Sequence, residues 1–156
     1  TFGLTVVSDQ KQLASAIKKA FKYSKNVIAE EYITGREITV PILNKLVYPI
    51  IEIVPMRSYY DFECKYTPGM AKYFCPAKLN KNIESRINEE TKLLFQEFGC
   101  KVYSRVDYIV GKNGKPYFLE VNTLPGMTKT SLFPKSLNSV GLSFGSLIKK
   151  IIDLSL

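Results

Sequence analysis

Ser104-Arg105-Val106-Asp107-Tyr108-Ile109-Val110-Gly111-Lys112-Asn113-Gly114-Lys115-Pro116-Tyr117-Phe118-Leu119-Glu120-Val121-Asn122 is the stretch on which the fold turns. It reads as two strands around a turn. Asn113-Gly114 is the strongest short hairpin signal, because a two-residue type I′ turn needs positive φ twice. A turn closed there sets Lys112 opposite Lys115, and counting back from it sets Asp107 opposite Glu120 and Arg105 opposite Asn122. All four of those side chains then share one face. A one-residue bulge at Gly111 would break that register.

Directly opposed carboxylates stand about 4.5–5.5 Å apart at Cβ and destabilise a sheet unless something neutralises them. At an effective dielectric of 20, like charges ~4 Å apart repel by roughly 4 kcal/mol. Two resolutions are open. Arg105 can bridge both acids as a surface ion-pair ladder, or a divalent cation can sit between them. Two carboxylates and an amide, all oxygen donors, suit a hard ion such as Mg²⁺, which usually arrives with phosphate oxygens. Asn122-Thr123-Leu124-Pro125-Gly126-Met127-Thr128 favours the cation, since it leaves the strand through a Pro-Gly turn that offers backbone N–H groups beside the acids. Arg105 can then clamp a transferring phosphoryl group.

The rest of the chain frames that hairpin. Its 156 residues make one domain or a piece of a larger one, not a multidomain enzyme, and at 46% hydrophobic it can bury a substantial core. A net charge of +8 suits an anionic partner without choosing among nucleic acid, phosphometabolite and membrane surface. With no histidine, the residues of this chain cannot build Ser-His-Asp, Cys-His or zinc-imidazole chemistry. Cys64, Cys75 and Cys100 lack metal-site spacing and are odd in number, which predicts a reducing compartment. No apolar run reaches the length of a membrane span, and the opening Thr1-Phe2-Gly3-Leu4-Thr5 has no signal-peptide character, so a cytoplasmic protein is expected.

Helical spacing of Leu13, Ala16, Ile17, Ala20 and Phe21 predicts a helix capped by Ser8. Strands are predicted over Val27 to Ile33, and over Glu37 to Leu43 and Leu46 to Val54 around the turn Asn44-Lys45. Met56 to Pro76 reads as a long functional loop rich in tyrosine. A second helix runs from about Ile83 to Phe98 with Gly99 as its stop, and a last one carries Phe144, Leu147, Ile148, Ile151 and Ile152, with Lys149 and Lys150 near its negative end. Strands and helices interleave without a βαβ rhythm, so the class is α+β.

Four segments in this order and spacing resemble the D-alanine–D-alanine ligases of the ATP-grasp superfamily: Tyr60-Asp61-Phe62-Glu63-Cys64-Lys65-Tyr66, Tyr73-Phe74-Cys75-Pro76-Ala77, Ser104-Arg105-Val106-Asp107 and Glu120 to Thr128. The resemblance implies an ATP-grasp carboxy-terminal module, an antiparallel sheet flanked by helices, over residues 32–156. Residues 1–31 would be a remnant of the central subdomain. It implies ATP as cosubstrate and two Mg²⁺ ions, with Mn²⁺ as a substitute, held by Asp107, Glu120 and Asn122. Arg105 would stabilise the transferred phosphate and the tetrahedral intermediate, and Gly126 would donate its backbone N–H to that oxyanion. Ser131 and the backbone of Leu132 would hold the carboxylate of the second D-alanine. Glu30, Glu31 and Ile33 would meet adenine, Glu37 the ribose hydroxyls, and Leu119 and Tyr59 would wall the base. Lys65 and Tyr66 would belong to a loop covering phosphate and substrate. The likeness also implies a role in peptidoglycan synthesis, a homodimer at full length, and an amino-terminal part upstream of Thr1, so that this chain alone would be inactive.

Taken singly, most of these residues also have plain structural roles: a solvated strand end for Glu30-Glu31, loop packing for the tyrosines, a solubilising charge for Lys65. Two other functions compete. A sibling ligase would take D-lactate or D-serine as second substrate. A basic module that stacks RNA bases on tyrosine is the alternative of another class. Asp107 and Glu120 would repel a phosphate backbone unless loaded with metal, so no nucleic acid is expected as partner.

Overall fold

The computed structural model describes residues 2–56 and 69–156. Among these residues the elements are α1 (Gln10–Ala20), β1 (Gly35–Leu43), β2 (Leu46–Val47), β3 (Ile51–Pro55), β4 (Ala71–Phe74), α2 (Lys81–Glu97), β5 (Tyr103–Gly111), β6 (Pro116–Asn122), α3 (Leu132–Ser139) and α4 (Phe144–Ser155). The strands form one antiparallel sheet in the order β4-β3-β1-β5-β6, with β2 paired to the end of β1. The α+β expectation holds.

Alternation along β1 and β5 gives the sheet two different faces. On one, Ile38, Val40, Val106, Tyr108 and Val110 pack with Ile87 of α2 into a dry core. At about 1.5–3 kcal/mol for each large apolar side chain buried, this layer is the main force holding the central strands in register. Asn80 caps α2 through a 2.9 Å bond from Asn82 N–H, and Gly99 at φ +64° ends it with bonds from Gly99 N–H to Gln96 and from Cys100 N–H to Phe95. On the other face, Leu43 meets Phe133 and Leu137 of α3 and Leu147 of α4 at one end. Beyond those helices the same face carries the polar row of Thr39, Arg105 and Asp107, and the candidate site is there.

Several expectations are corrected. Asp9, not Ser8, caps α1, its carboxylate accepting from Lys11 N–H at 3.0 Å. Residues 27–34 form no strand, for a strand needs a partner and Ile28 and Tyr32 stand exposed without one. Leu46 to Val54 splits into β2 and β3 at Tyr48-Pro49, where proline removes a ladder donor. Ala71–Phe74 is an edge strand on β3 rather than part of the loop. Helix α3 has no counterpart among the predicted elements; its Pro134 stands in the first turn, where proline is tolerated. Helix α4 continues to Ser155, which leaves Lys149 and Lys150 in its middle.

The hairpin at 104–122 carries the most instructive correction. Gly111 N–H bonds to Lys115 C=O at 2.9 Å, so Lys112 does not face Lys115. The loop is the three residues Lys112-Asn113-Gly114, and Gly114 alone has positive φ, +76°. That shift by one would have turned the acids to opposite faces, but a bulge between Asp107 and Tyr108 inserts Leu119 and restores the pairing. Asp107 faces Glu120 and Arg105 faces Asn122, as expected, by two departures that cancel. The real type I′ turn is Asn44-Lys45, with φ of 49° and 64°.

Candidate metal and nucleotide site

The face opposite α2 is built row by row. Pro41, Arg105 and Asn122 form one row, Ile51, Thr39, Asp107 and Glu120 the next, and Tyr73, Ile53, Glu37, Ile109 and Tyr117 the third. Strand pairing alone therefore brings together Arg105, Asp107, Glu120, Asn122 and Glu37.

Arg105 is not part of a surface ladder. Its side chain is 8% exposed and that of Asp107 14%. Nε donates to Asp107 Oδ1 at 2.9 Å and Nη2 to Oδ2 at 2.6 Å, a bidentate pair that fixes both groups. Thr39, fully buried, donates to the same Oδ1 at 2.5 Å. Glu120 takes no hydrogen bond or ion pair from the described residues, while Asp107 beside it is neutralised by Arg105.

The donor set fits a hard cation. A carboxylate offers about four acceptor sites. Arg105 and Thr39 occupy three on Asp107 and leave one on Oδ2, while both Glu120 oxygens are available. Asn122 Oδ1 accepts from Leu124 N–H at 3.1 Å and keeps a second lone pair. No group of three or more His, Cys, Asp or Glu that could hold a metal occurs among the described residues. An ion here needs further oxygens from a ligand, which is how Mg²⁺ is usually held.

At the other end of the hairpin lies an open cleft of about 270 Å³, lined by Glu31, Ile33, Thr34, Lys112, Asn113 and Tyr117 among others. Gly35 makes the crossing possible, because a Cβ there would stand 2.2 Å from Val110 O. Asn113 Nδ2 donates to Tyr117 Oη at 3.3 Å and Lys115 Nζ lies 5.2 Å from the Tyr117 ring centroid, which steadies the cleft wall. From Gly111 to Asp107 is four residues at about 3.3 Å each, roughly 13 Å. Glu37 falls between the two ends. Arg36 on the opposite face anchors this part of β1, its guanidinium bonding both oxygens of Glu52 at 2.7 Å and Lys78 C=O at 2.9 Å. The bond to Glu52 raises the Arg36 pKa above its ordinary value, more than burial lowers it.

Of the other expected residues, Glu30 is exposed and outside the cleft lining, and Leu119, the bulge residue, is 46% exposed. Gly126 and Ser131 meet: a Cβ on Gly126 would lie 3.0 Å from Ser131 Oγ. Ser131 caps α3 without using its side chain, which instead accepts from Thr128 N–H at 3.1 Å and pairs with Thr128 Oγ1 at 2.8 Å. Leu132 is the first residue of that helix, where backbone N–H groups lack intrahelical partners. Tyr59, Lys65 and Tyr66 lie outside the described residues. Sequence reasoning missed Thr39, Lys112, Asn113 and Tyr117. Alternation put Thr39 on the face of Glu37, but its pairing with Asp107 spans 68 residues and left no local signal.

The family described as D-ala D-ala ligase C-terminus matches residues 1–153. A D-alanine--D-alanine ligase from Methylacidiphilum infernorum is 44% identical over 99% of this chain and 51% of its own length, and one from Halalkalibacterium halodurans is 40% identical over 100% and 53%. Among solved structures, the D-alanine--D-alanine ligase from Bacillus anthracis complexed with ATP superposes with a TM-score of 0.83 at 35% identity, covering 97% of this chain and 49% of that one. The VanG D-Ala:D-Ser ligase from Enterococcus faecalis gives 0.83 at 33%, covering 99% and 46%. The chain thus spans about half the length of the relatives it matches.

Proposed function

This chain belongs to the D-alanine–D-alanine ligase family, as its C-terminal portion with the ATP-grasp fold, and from that premise we propose that the full-length protein joins two D-alanines at the expense of ATP for peptidoglycan synthesis. The observation that carries the reading is the sheet face on which Asp107 and Glu120 oppose each other beside Arg105 and Asn122, in line with Glu37 and the Glu31–Ile33 cleft.

In this reading Asp107, Glu120 and Asn122 hold Mg²⁺, two ions with the phosphates present, or Mn²⁺ in its place. The metal supplies charge neutralisation on the phosphate oxygens. Ile33 and Leu119 bracket adenine with Tyr59, Glu30 and Glu31 face its edge, and Glu37 binds ribose. The roughly 13 Å from cleft to acids suits an extended nucleoside triphosphate. Arg105, held rigid by Asp107, meets the charge of the γ-phosphoryl group as it passes to one carboxylate oxygen of the first D-alanine. The amine of the second D-alanine attacks the resulting acyl phosphate, loses a proton and expels phosphate, while the Gly126 N–H takes the oxyanion. Ser131 and Leu132 N–H hold the acceptor carboxylate, a fit for a helix start. Lys65 and Tyr66 cover the site. Residues 1–31 are read as a remnant of the central subdomain; α1 buries none of its residues, which supports that division. Family likeness supports a cytoplasmic homodimer, and among the described residues no helix is long and apolar enough to cross a membrane.

The likeness to a D-Ala:D-Ser ligase gives the acceptor a second candidate. Assaying the full-length protein with ATP, Mg²⁺ and D-alanine, with D-alanine, D-serine or D-lactate as acceptor, decides it. The expected result is D-alanyl-D-alanine with one ADP per dipeptide, and none from residues 1–156 alone. ADP release that ignores D-alanine, or salt-sensitive oligonucleotide binding indifferent to ATP and Mg²⁺, would overturn the reading.

A further inference from the structure

Thr39 lies in the central strand, fully buried, directly opposite Asp107. Its β-branched side chain is stiff at χ1 and cannot swing away in that strand. The hydroxyl donates to Asp107 Oδ1 at 2.5 Å, the oxygen that also accepts from Arg105 Nε. Both lone pairs of Oδ1 are therefore in use, and the remaining one lies on Oδ2.

We infer that Thr39 is a positioning residue that limits Asp107 to a single oxygen donor and thereby biases the cation site toward a small octahedral ion. Mg²⁺ and Mn²⁺ tolerate a one-oxygen carboxylate with near-ideal angles, whereas Ca²⁺ takes more ligands and readily accepts both oxygens of one carboxylate. Without the hydroxyl, Oδ1 regains a lone pair and the carboxylate can turn to present both atoms. The inference rests on Asp107 being a metal ligand, and its test separates the two.

The measurement is the metal concentration giving half of the ATP-dependent thermal stabilisation of the full-length protein, taken separately with Mg²⁺ and Ca²⁺. Chelation by ATP itself is common to all variants. Partner groups behind metal ligands are typically worth 10–100-fold in affinity. Thr39→Val and Thr39→Ala are expected to raise the Mg²⁺ midpoint about tenfold and the Ca²⁺ midpoint by less than about threefold. Thr39→Ser, which loses the same methyl group as Thr39→Ala but keeps the hydroxyl, is expected to leave both within about threefold. An unmoved Mg²⁺ midpoint in Thr39→Val and Thr39→Ala, or an equal shift for both ions, overturns the inference while Asp107→Asn still abolishes the metal response. Should Asp107→Asn leave the response intact, the ligand assignment itself fails and takes the inference with it.

Discussion

At the scale of single residues, burial decides which side chains carry chemistry and which carry stability. Tyr108 points into the core, where its hydroxyl meets Thr91 Oγ1 at 2.9 Å. Burial, opposed by that hydrogen bond and reinforced by the charge of Glu90, pushes its pKa from 10.0 up to about 12. The folded protein thus prefers the neutral phenol more than the unfolded chain does. Its contribution is complete below pH 10 and is lost as pH climbs toward 12, by an amount on the order of 2 kcal/mol. Denaturant unfolding at pH 9, 10 and 11 should show a fall that is shallower in Tyr108→Phe; parallel curves would contradict the assignment. Gly126 makes the opposite case, where room rather than charge is limiting. Gly126→Ala must push Ser131 Oγ by a few tenths of an ångström, and misplaced substrate-holding groups are costly to rate. The expected result is an acceptor KM raised about tenfold with the KM for ATP unchanged; a rise confined to ATP would refute the pairing of Gly126 with the acceptor end.

Among the elements, the β5–β6 hairpin shows how far local rules reach. The pairing of Asp107 with Glu120 was legible in the sequence, yet the reason offered for it was not the real one. Asn113-Gly114 has the dipeptide of a two-residue turn, and only the ladder across Gly111 and Lys115 shows that Lys112 joins the loop. The Leu119 bulge carries no composition signal. Val27–Ile33 failed for a related reason, since β-propensity describes a side chain's fit to a paired surface and none of the described strands pairs with it. By contrast, the α2 helix, its apolar face and its Gly99 stop were readable because their contacts fall within a few turns. Deleting Leu119 tests the bulge directly. The ladder would then run from Tyr108–Phe118 straight to Asp107–Glu120, keeping the acids together while removing an apolar wall. Metal midpoints should stay within about threefold and ATP affinity should fall roughly tenfold, consistent with loss of one partly buried leucine contact. Loss of the metal response together with ATP binding would show that the bulge, not the ladder, aims Glu120.

For the whole molecule, the division of labour follows from the two faces of one sheet. The apolar layer under α2 holds β1 and β5 in register, and that register places the acids, the guanidinium and Glu37 in a line on the other side. A net charge of +8 gives the chain as a whole a long-range attraction for polyanions. Sequence patterning could not reveal which parts of the face are roofed, because α3 and α4 cover it through contacts such as Leu43 with Phe133, distant along the chain.

The most direct test of the central claim is the Mg²⁺ dependence of ADP formation by the full-length protein carrying Glu120→Gln. The substitution keeps shape and removes the carboxylate that faces Asp107 and takes no hydrogen bond or ion pair from the described residues. The expected result is loss of metal-dependent turnover by at least about a hundredfold, with the melting temperature of the ligand-free protein unchanged. Turnover equal to that of the unsubstituted protein at every Mg²⁺ concentration would contradict it.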